Sequence, residues 1–254
     1  MMMLRLMVSG CNGFMGRAVA AIVDESPDIT IVAGVDISDG QYNDFPVFKS
    51  PAEYADAVDI IVDFSSPLAL YGLITFALEK KLPLVLCATG YSPEQLTLID
   101  QAAEHIPIFR SGNMSLGINL LADLIKRACA VLNTDFDIEI VERHHRRKLD
   151  APSGTAIMLA DAAASALPYA SEYVYERESR RTPRDKHEIG ISAVRGGGIV
   201  GEHEVIFASD YEVIELHHSA ASREVFAAGA IRAAVFMAAL KRPGLYDMSD
   251  VLGT

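Results

Sequence analysis

The sequence predicts an α/β protein: a Rossmann-like, doubly wound parallel sheet plus a second α+β domain with an open mixed sheet. Three observations carry this. Apolar, strand-like runs alternate with helically spaced segments up to about residue 112. A glycine-rich turn joins the first run to the first helix. After about residue 113 the pattern changes to a long amphipathic helix and then to strands separated by glycine turns.

The elements follow in order. "LRLMVSG" is a short apolar strand stopped by Gly10, and "RAVAAIVDES" has helical spacing. "ITIVAGVD" is β-branched and ends at Asp36, and "VDIIVDFSS" is a further buried strand. "LALYGLITFALEKK" is a helix with cations in its last turn, where they complement the helix dipole. "LPLVLCATG" is a strand; "SPEQLTLIDQAAEH" opens on an N-cap serine with proline at N1; "IPIFRSG" is the next strand. Strands apolar on both faces argue for a parallel sheet covered on both sides. Beyond it, "MSLGINLLADLIKRACAVL" is a helix, "FDIEIVERHH" an alternating strand and "GTAIMLADAAASAL" a helix. Residues 171–187 are charged and weakly periodic. "HEIGISAVRGGGIVGEHEVIFASDYEVIELHHSA" reads as three or more strands, with antiparallel pairing suggested by the glycine turns. "SREVFAAGAIRAAVFMAALK" is a last helix, free to return to the first domain. The expected domains are residues 1–112 with 220–254, for dinucleotide binding, and 113–219, for substrate binding and oligomerisation.

Half of the 254 residues are hydrophobic, enough for a sizeable core. The formal net charge of −12 argues against a nucleic-acid footprint, so any basic cluster needs a local explanation. Cys11, Cys87 and Cys129 are scattered and odd in number, which suits a reducing cytosol and no disulfide framework. The apolar start is too short for a signal segment, and no run approaches the ~20 apolar residues of a membrane span. The expectation is a soluble cytoplasmic protein.

"GCNGFMGRA" spaces Gly10, Gly13 and Gly16 as G-x-x-G-x-x-G, with Asn12 at the tight position. Such glycines let the backbone turn sharply and approach a pyrophosphate seated on helix-start amides. Asp36 ends the second strand 20 residues after Gly16, where a carboxylate accepts hydrogen bonds from the adenosine ribose. A tight turn with a surface aspartate is the plainer alternative. Asp36 is followed by Ile37 and Ser38, with no adjacent cation for a 2′-phosphate, so NADH is expected over NADPH. "DFSSP" and "CATGYS" lie where ligands bind such sheets.

"ERHHRRKLDAPSGTA" (142–156) concentrates positive charge and proton-transfer groups. Neighbouring strand residues point to opposite faces, so two adjacent histidines chelate one metal poorly, and no second ligand pair completes a site. A solvated charge run is the bland reading. Against it stands the helix start after Pro152, where amides and a Ser or Thr hydroxyl make a carboxylate site beside Lys148 and two imidazoles. Arg143, Arg146 and Arg147 are left to solvated charge or subunit contact. Arg195 and His203 are divided between sheet-surface residues and a substrate or subunit role.

"VERHHRRKLDAPSGTA" resembles the signature of the bacterial 4-hydroxy-tetrahydrodipicolinate reductase (dihydrodipicolinate reductase) family. It is joined in family order by "VSGCNGFMGRAV", "GNMSLGINLL", "RGGGIVGEHEVIFA" and "SREVFAAGAIRAA". The resemblance implies reduction of a cyclic dicarboxylate imine by NADH or NADPH, with loss of water, in diaminopimelate and lysine synthesis. It implies His144 as proton donor or acceptor, Lys148 as proton donor, and His145, Gly154 and Thr155 as substrate-binding residues. The cofactor would lie on Gly10, Cys11, Asn12, Gly13, Phe14 and Met15, on Asp36, on Cys87, Ala88 and Thr89, and on Ser111, Gly112, Asn113 and Met114. Members are typically tetrameric through the second sheet, which implies a homotetramer here. No metal, nucleic-acid or membrane partner is implied. Cys87-Ala88-Thr89-Gly90 replaces the family's usual Gly-Thr-Thr-Gly, and Asn113-Met114-Ser115 its usual Asn-Phe-Ser. With the glycine turn and the histidine stretch in different domains, closure is expected to assemble the site. The competing readings are another small-molecule dehydrogenase on the same architecture, with Cys87 as a conceivable thiol, and a nucleotide sensor without turnover.

Overall fold

The structure is a computed structural model that describes residues 3–38, 40 and 43–253. It divides into two units, residues 1–115 with 224–254, and residues 116–223. In chain order, the first unit contributes β1 (Leu4–Ser9), α1 (Phe14–Asp24), β2 (Ile29–Val35), β3 (Val47–Phe48), β4 (Ile60–Asp63), α2 (Leu70–Lys80), β5 (Leu84–Leu86), α3 (Pro93–Ala103) and β6 (Pro107–Arg110). The second unit follows with α4 (Leu116–Leu132), β7 (Asp137–His144), α5 (Gly154–Ala166), β8 (Glu172–Val174), β9 (Glu188–Arg195), β10 (Glu202–Ala208) and β11 (Val213–Ser219). The chain then returns to the first unit as α6 (Glu224–Ala239), β12 (Gly244–Tyr246) and α7 (Met248–Leu252).

The first sheet has seven strands, all parallel, in the order β12-β6-β5-β4-β1-β2-β3. Its central strands are buried on both faces: Leu6, Met7 and Val8 of β1 and Ile60, Ile61 and Val62 of β4 are fully enclosed. That is why these runs read as continuously apolar. The α6 helix, rich in alanine, packs against α1, β4 and β5, as the sequence allowed. Small residues suit this approach: a Cβ at Gly229 would lie 1.7 Å from the carbonyl oxygen of Met114. Ser92 caps α3 with a full capping box to Gln95, Pro93 following at the first turn.

The second sheet is mixed, in the order β11-β10-β7-β9-β8. The β10 strand runs antiparallel to β11 and β7, whereas β7, β9 and β8 are mutually parallel. The glycine turn after β9 therefore connects strands that flank β7 rather than pair with each other. One face packs on α4 and α5 around Ile138, Ile140, Ile189, Ile191, Val205 and Phe207. The opposite face carries Val194 and Val213 exposed among charged residues. The short strands β3, β8 and β12 and the last helix, α7, have too few residues for a periodic signal and were not anticipated.

Candidate active site

The β1 strand ends at Ser9, and Gly10 turns the chain at φ +75°. A side chain there would meet the backbone of Phe64 and Ser65 at 2.8 Å, the start of the loop after β4. A Cβ at Gly16 would stand 2.2 Å from the Gly10 carbonyl oxygen. Only glycine permits this packing of α1 on the turn. Gly13 is the N-cap of α1 and, having no side chain, makes no side-chain cap hydrogen bond. Gly10, Gly13, Asp36, Lys49 and Ser65 line one open cavity of about 540 Å³.

Asp36 closes the turn: its Oδ2 accepts from the Asn12 amide at 2.9 Å, and its Oδ1 from the amide and hydroxyl of Ser38, both at 2.8 Å. Burial pushes its carboxyl up, but these hydrogen bonds and the charge of Lys49 outweigh it and hold the group below the usual carboxylate range. Asn12 is tied to Ser38 and Asn43 through its side chain. Cys11 lies buried, with its thiol pushed up to about 11 by burial and by Asp36, and Phe14 is exposed. Met15, in the first turn of α1, is half-buried.

The other cofactor candidates follow the carboxyl ends of β5 and β6. Burial and the charge of Asp63 drive the Cys87 thiol well above its ordinary value, which removes it as a nucleophile at neutral pH. Ala88 and Thr89 continue from it as loop. The Ser111 hydroxyl donates to the Asn113 carbonyl at 2.9 Å, and Asn113 Oδ1 accepts from the Ser115 amide at 2.8 Å, which folds the 111–115 segment, Gly112 included, into a tight turn. Met114 is buried. Asp63 is a residue that sequence reasoning missed. It is fully enclosed at the end of β4, its Oδ1 accepting from the Ser65 amide and hydroxyl. Burial pushes its carboxyl up.

In the second unit, the period-two alternation of β7 buries Ile138, Ile140, Glu142 and His144 on one face. The same alternation in β10 buries His203, Val205 and Phe207. The apolar face thus ends in a polar corner. His144 is the last strand residue, and His145 follows in the turn, which is why the pair diverges. His144 Nδ1 lies 2.6 Å from Glu142 Oε2. Arg195, opposite His144 in register on β9, grips both Glu142 oxygens at 2.7 Å. Ser153 N donates to Glu142 Oε1 at 3.0 Å. The Ser153 hydroxyl contacts His203 Nε2 at 3.0 Å and accepts from Ala156 N at 3.1 Å, capping α5. The imidazoles of His144 and His203 meet edge-on with centroids 5.2 Å apart. Burial first, then the neighbouring His144, lowers His203 to about 4, so it is neutral near neutral pH.

His145 Nε2 accepts from Arg223 at 3.1 Å; burial and then the surrounding cations push its imidazole down. Lys148 Nζ pairs with Asp150 at 2.9 Å, and its amide donates to the His145 carbonyl at 3.0 Å. Gly154 and Thr155 are the first residues of α5, whose first helical bond runs from Ile157 N to Ser153 O. A Cβ at Gly154 would meet nothing within 4 Å, so the space beside Gly154 is open. His144, His145, Lys148, Gly154 and Thr155 thus share one end of the second unit, while Gly10 to Met15 and Asp36 share one end of the first. Arg143 is taken up by Glu204 at 2.8 Å. The Arg146 amide bonds to Gly197 O at 3.3 Å, closing the glycine turn over the histidines. The sequence reading missed Glu142, placed Ser153 at the helix start without its contacts to Glu142 and His203, and left Arg195 and His203 undecided. Period-two alternation was the available signal, because it sets Glu142 in line with His144.

Comparison with known proteins fits this arrangement. The profile for the dihydrodipicolinate reductase N-terminus matches residues 4–114, and that for its C-terminus matches residues 117–252. The 4-hydroxy-tetrahydrodipicolinate reductase of Clostridium tetani is 50% identical over 253 residues, covering 100% of this chain and 98% of the relative. That of Caldanaerobacter subterraneus subsp. tengcongensis is 51% identical, with 99% of each chain covered. Among solved structures, a dipicolinate-bound dihydrodipicolinate reductase from Paenisporosarcina sp. TG-14 shares the fold, with a TM-score of 0.81 at 24% identity over 97% of this chain and 98% of that one. With both of its halves matched and relatives at half identity over its full length, the chain belongs to the dihydrodipicolinate reductase family.

Proposed function

We propose that the protein reduces 4-hydroxy-tetrahydrodipicolinate to tetrahydrodipicolinate, with loss of water, at the expense of a reduced pyridine nucleotide, in the diaminopimelate route to lysine. The observation that carries this is the joining of a proton-transfer set, His144 and Lys148, to the start of α5, with open space beside Gly154, in a chain half identical to reductases of that name.

The first unit suits a dinucleotide. A side chain at Gly10 or Gly16 would collide with backbone, and the cavity that Gly10 borders is lined by Asp36 as well. Gly10 to Met15 and Asp36 would hold the pyrophosphate and adenosine ribose, and residues 87–89 and 111–114 would border the nicotinamide end. When bound, the cofactor supplies a hydride. The remaining work falls to the second unit. The amides of Gly154 and Thr155 receive a substrate carboxylate. His145 donates a hydrogen bond to it, and Lys148 exchanges Asp150 for the anionic substrate and delivers a proton. His144 transfers a proton at Nε2 as charge develops on the ring.

Asp36 disfavours a 2′-phosphate, and NADH is the proposed preference. Lys49 tempers it: the fold brings this ammonium to the Ile37 carbonyl, at 2.8 Å, in the same cavity as Asp36. The exposed face of the second sheet, with Val194 and Val213 between ion pairs, supports assembly as a homotetramer. Three unpaired cysteines suit the cytoplasm. No helix among the described residues is long and apolar enough to cross a membrane. Adding fresh 4-hydroxy-tetrahydrodipicolinate to enzyme and NADH should consume the reduced-nicotinamide absorbance. Tight NADH binding with no consumption would instead mark a sensor.

A further inference from the structure

Glu142 is a carboxylate with no exposure at all, at the end of an otherwise apolar strand face. Removing such a group from water is costly unless every lone pair is used. Here each oxygen has two donors. Oε1 receives Ser153 N and one Arg195 nitrogen; Oε2 receives the other Arg195 nitrogen and His144 Nδ1. Arg195 is itself anchored, donating to the Val194 carbonyl at 2.8 Å and the Asp150 carbonyl at 2.6 Å. Burial pushes the Glu142 carboxyl up, but the hydrogen bonds from Arg195, His144 and Ser153 N more than reverse it, and the group is ionised. A carboxylate only accepts, so the proton of a neutral His144 sits on Nδ1. Nε2 is left facing Gly201, where a Cβ would come within 3.1 Å of it.

We infer that Glu142, clamped by Arg195, is the positioning residue of the site: one buried carboxylate fixes the proton on His144 Nδ1, presents Nε2 for proton transfer, and through Ser153 N holds the start of α5 in register with that ring. Proton transfer and carboxylate capture are thereby set by a single group that touches neither reacting atom. The inference rests on the proposed role of His144, yet its central claim about the ring is independent of turnover. The charged and titratable groups around the pair are Arg195 on β9, His203 on β10, and His145, Lys148 and Asp150 in the loop before α5.

The first test needs no variant. Nitrogen-15 NMR of the wild-type protein at a pH where His144 is neutral should show a protonated Nδ1 and a bare Nε2; the opposite tautomer would overturn the inference. In E142Q the amide presents a donor to the Arg195 fork, and kcat should fall about 100-fold or more, the scale of losing the group that orients a catalytic histidine. NADH binding, read by fluorescence, should be unchanged. A folded E142Q with kcat within about threefold of wild type would sink the clamp. R195M removes the charge that keeps Glu142 ionised. Because activity needs the carboxylate, the acidic limb of the kcat–pH profile should move to higher pH, and R195K should return part of the way. A limb that stays in place in R195M counts against the inference. If H144Q turns over normally, the proton-transfer role fails, while the wild-type tautomer still decides the clamp.

Discussion

The glycine turn after β1 and the histidine corner at the end of β7 hold charge in opposite ways. The turn is made of backbone. Its glycines allow contacts no side chain would survive, and Asp36, half-exposed, is satisfied by an amide and a serine two residues on. The corner is made of side chains drawn from β7, β9, β10 and the start of α5, several of them buried. Backbone geometry is written in consecutive letters. A side-chain cluster is written across more than fifty positions and is completed only by strand order.

The largest effects should fall in the corner. His144→Gln and Lys148→Ala should each lower kcat by about 10²–10⁴ with the fold intact, the range for lost acid–base catalysis; steady-state kinetics with circular dichroism checks this, and near wild-type turnover in either ends the mechanism. Two glycines then separate the regions. Gly16→Ala must displace backbone, and should cost about 1–3 kcal/mol of stability together with NADH affinity. Gly154→Ala meets open space, so Tm should hold while the KM for the dicarboxylate rises about tenfold, if that helix start receives it. Equal Tm losses in the two variants would erase the distinction.

A third contrast uses pH. The imidazole of His203 titrates near 6.5 when unfolded but at about 4 in the fold. The unfolded chain therefore binds the proton first, so the stability present above pH 6.5 is lost as pH falls towards 4, by at most about 1.4 kcal/mol per unit. His203→Gln, which keeps a partner for Ser153 without titrating, should flatten Tm between those values relative to wild type. An unchanged slope would remove His203 as a source of acid sensitivity. The smallest effect belongs to Lys49→Ala. It should raise the KM for NADPH about threefold and leave that for NADH nearly unmoved, as suits an exposed charge.

Much of the fold was legible because long elements carry their periods. The β1 and β4 strands read as apolar runs since both faces are covered, and α3 announced itself through Ser92 and Pro93. The parallel course of β9 beside β7 was not legible: pairing within the second sheet depends on which strand a glycine turn delivers, not on strand composition. In the site, His144 and Lys148 stood out as a motif. Arg195 did not, because its partner is 53 residues away. Lys49 escaped for the same reason: a search for a cation adjacent to Asp36 in sequence cannot see one that β3 brings back in space.

The return of α6 and β12 to the first sheet bears on how the chain is made. Residues 116–223 lie between β6 and the elements that finish that sheet. During synthesis the second unit can complete its own core while β4 and β5 still lack the helix that covers them. The first unit is the first to emerge and the last to close. Until Glu224–Ala239 clears the ribosome, the apolar face it will cover is open to chaperones, and a chain ending near residue 223 would keep both signature motifs while leaving that face bare.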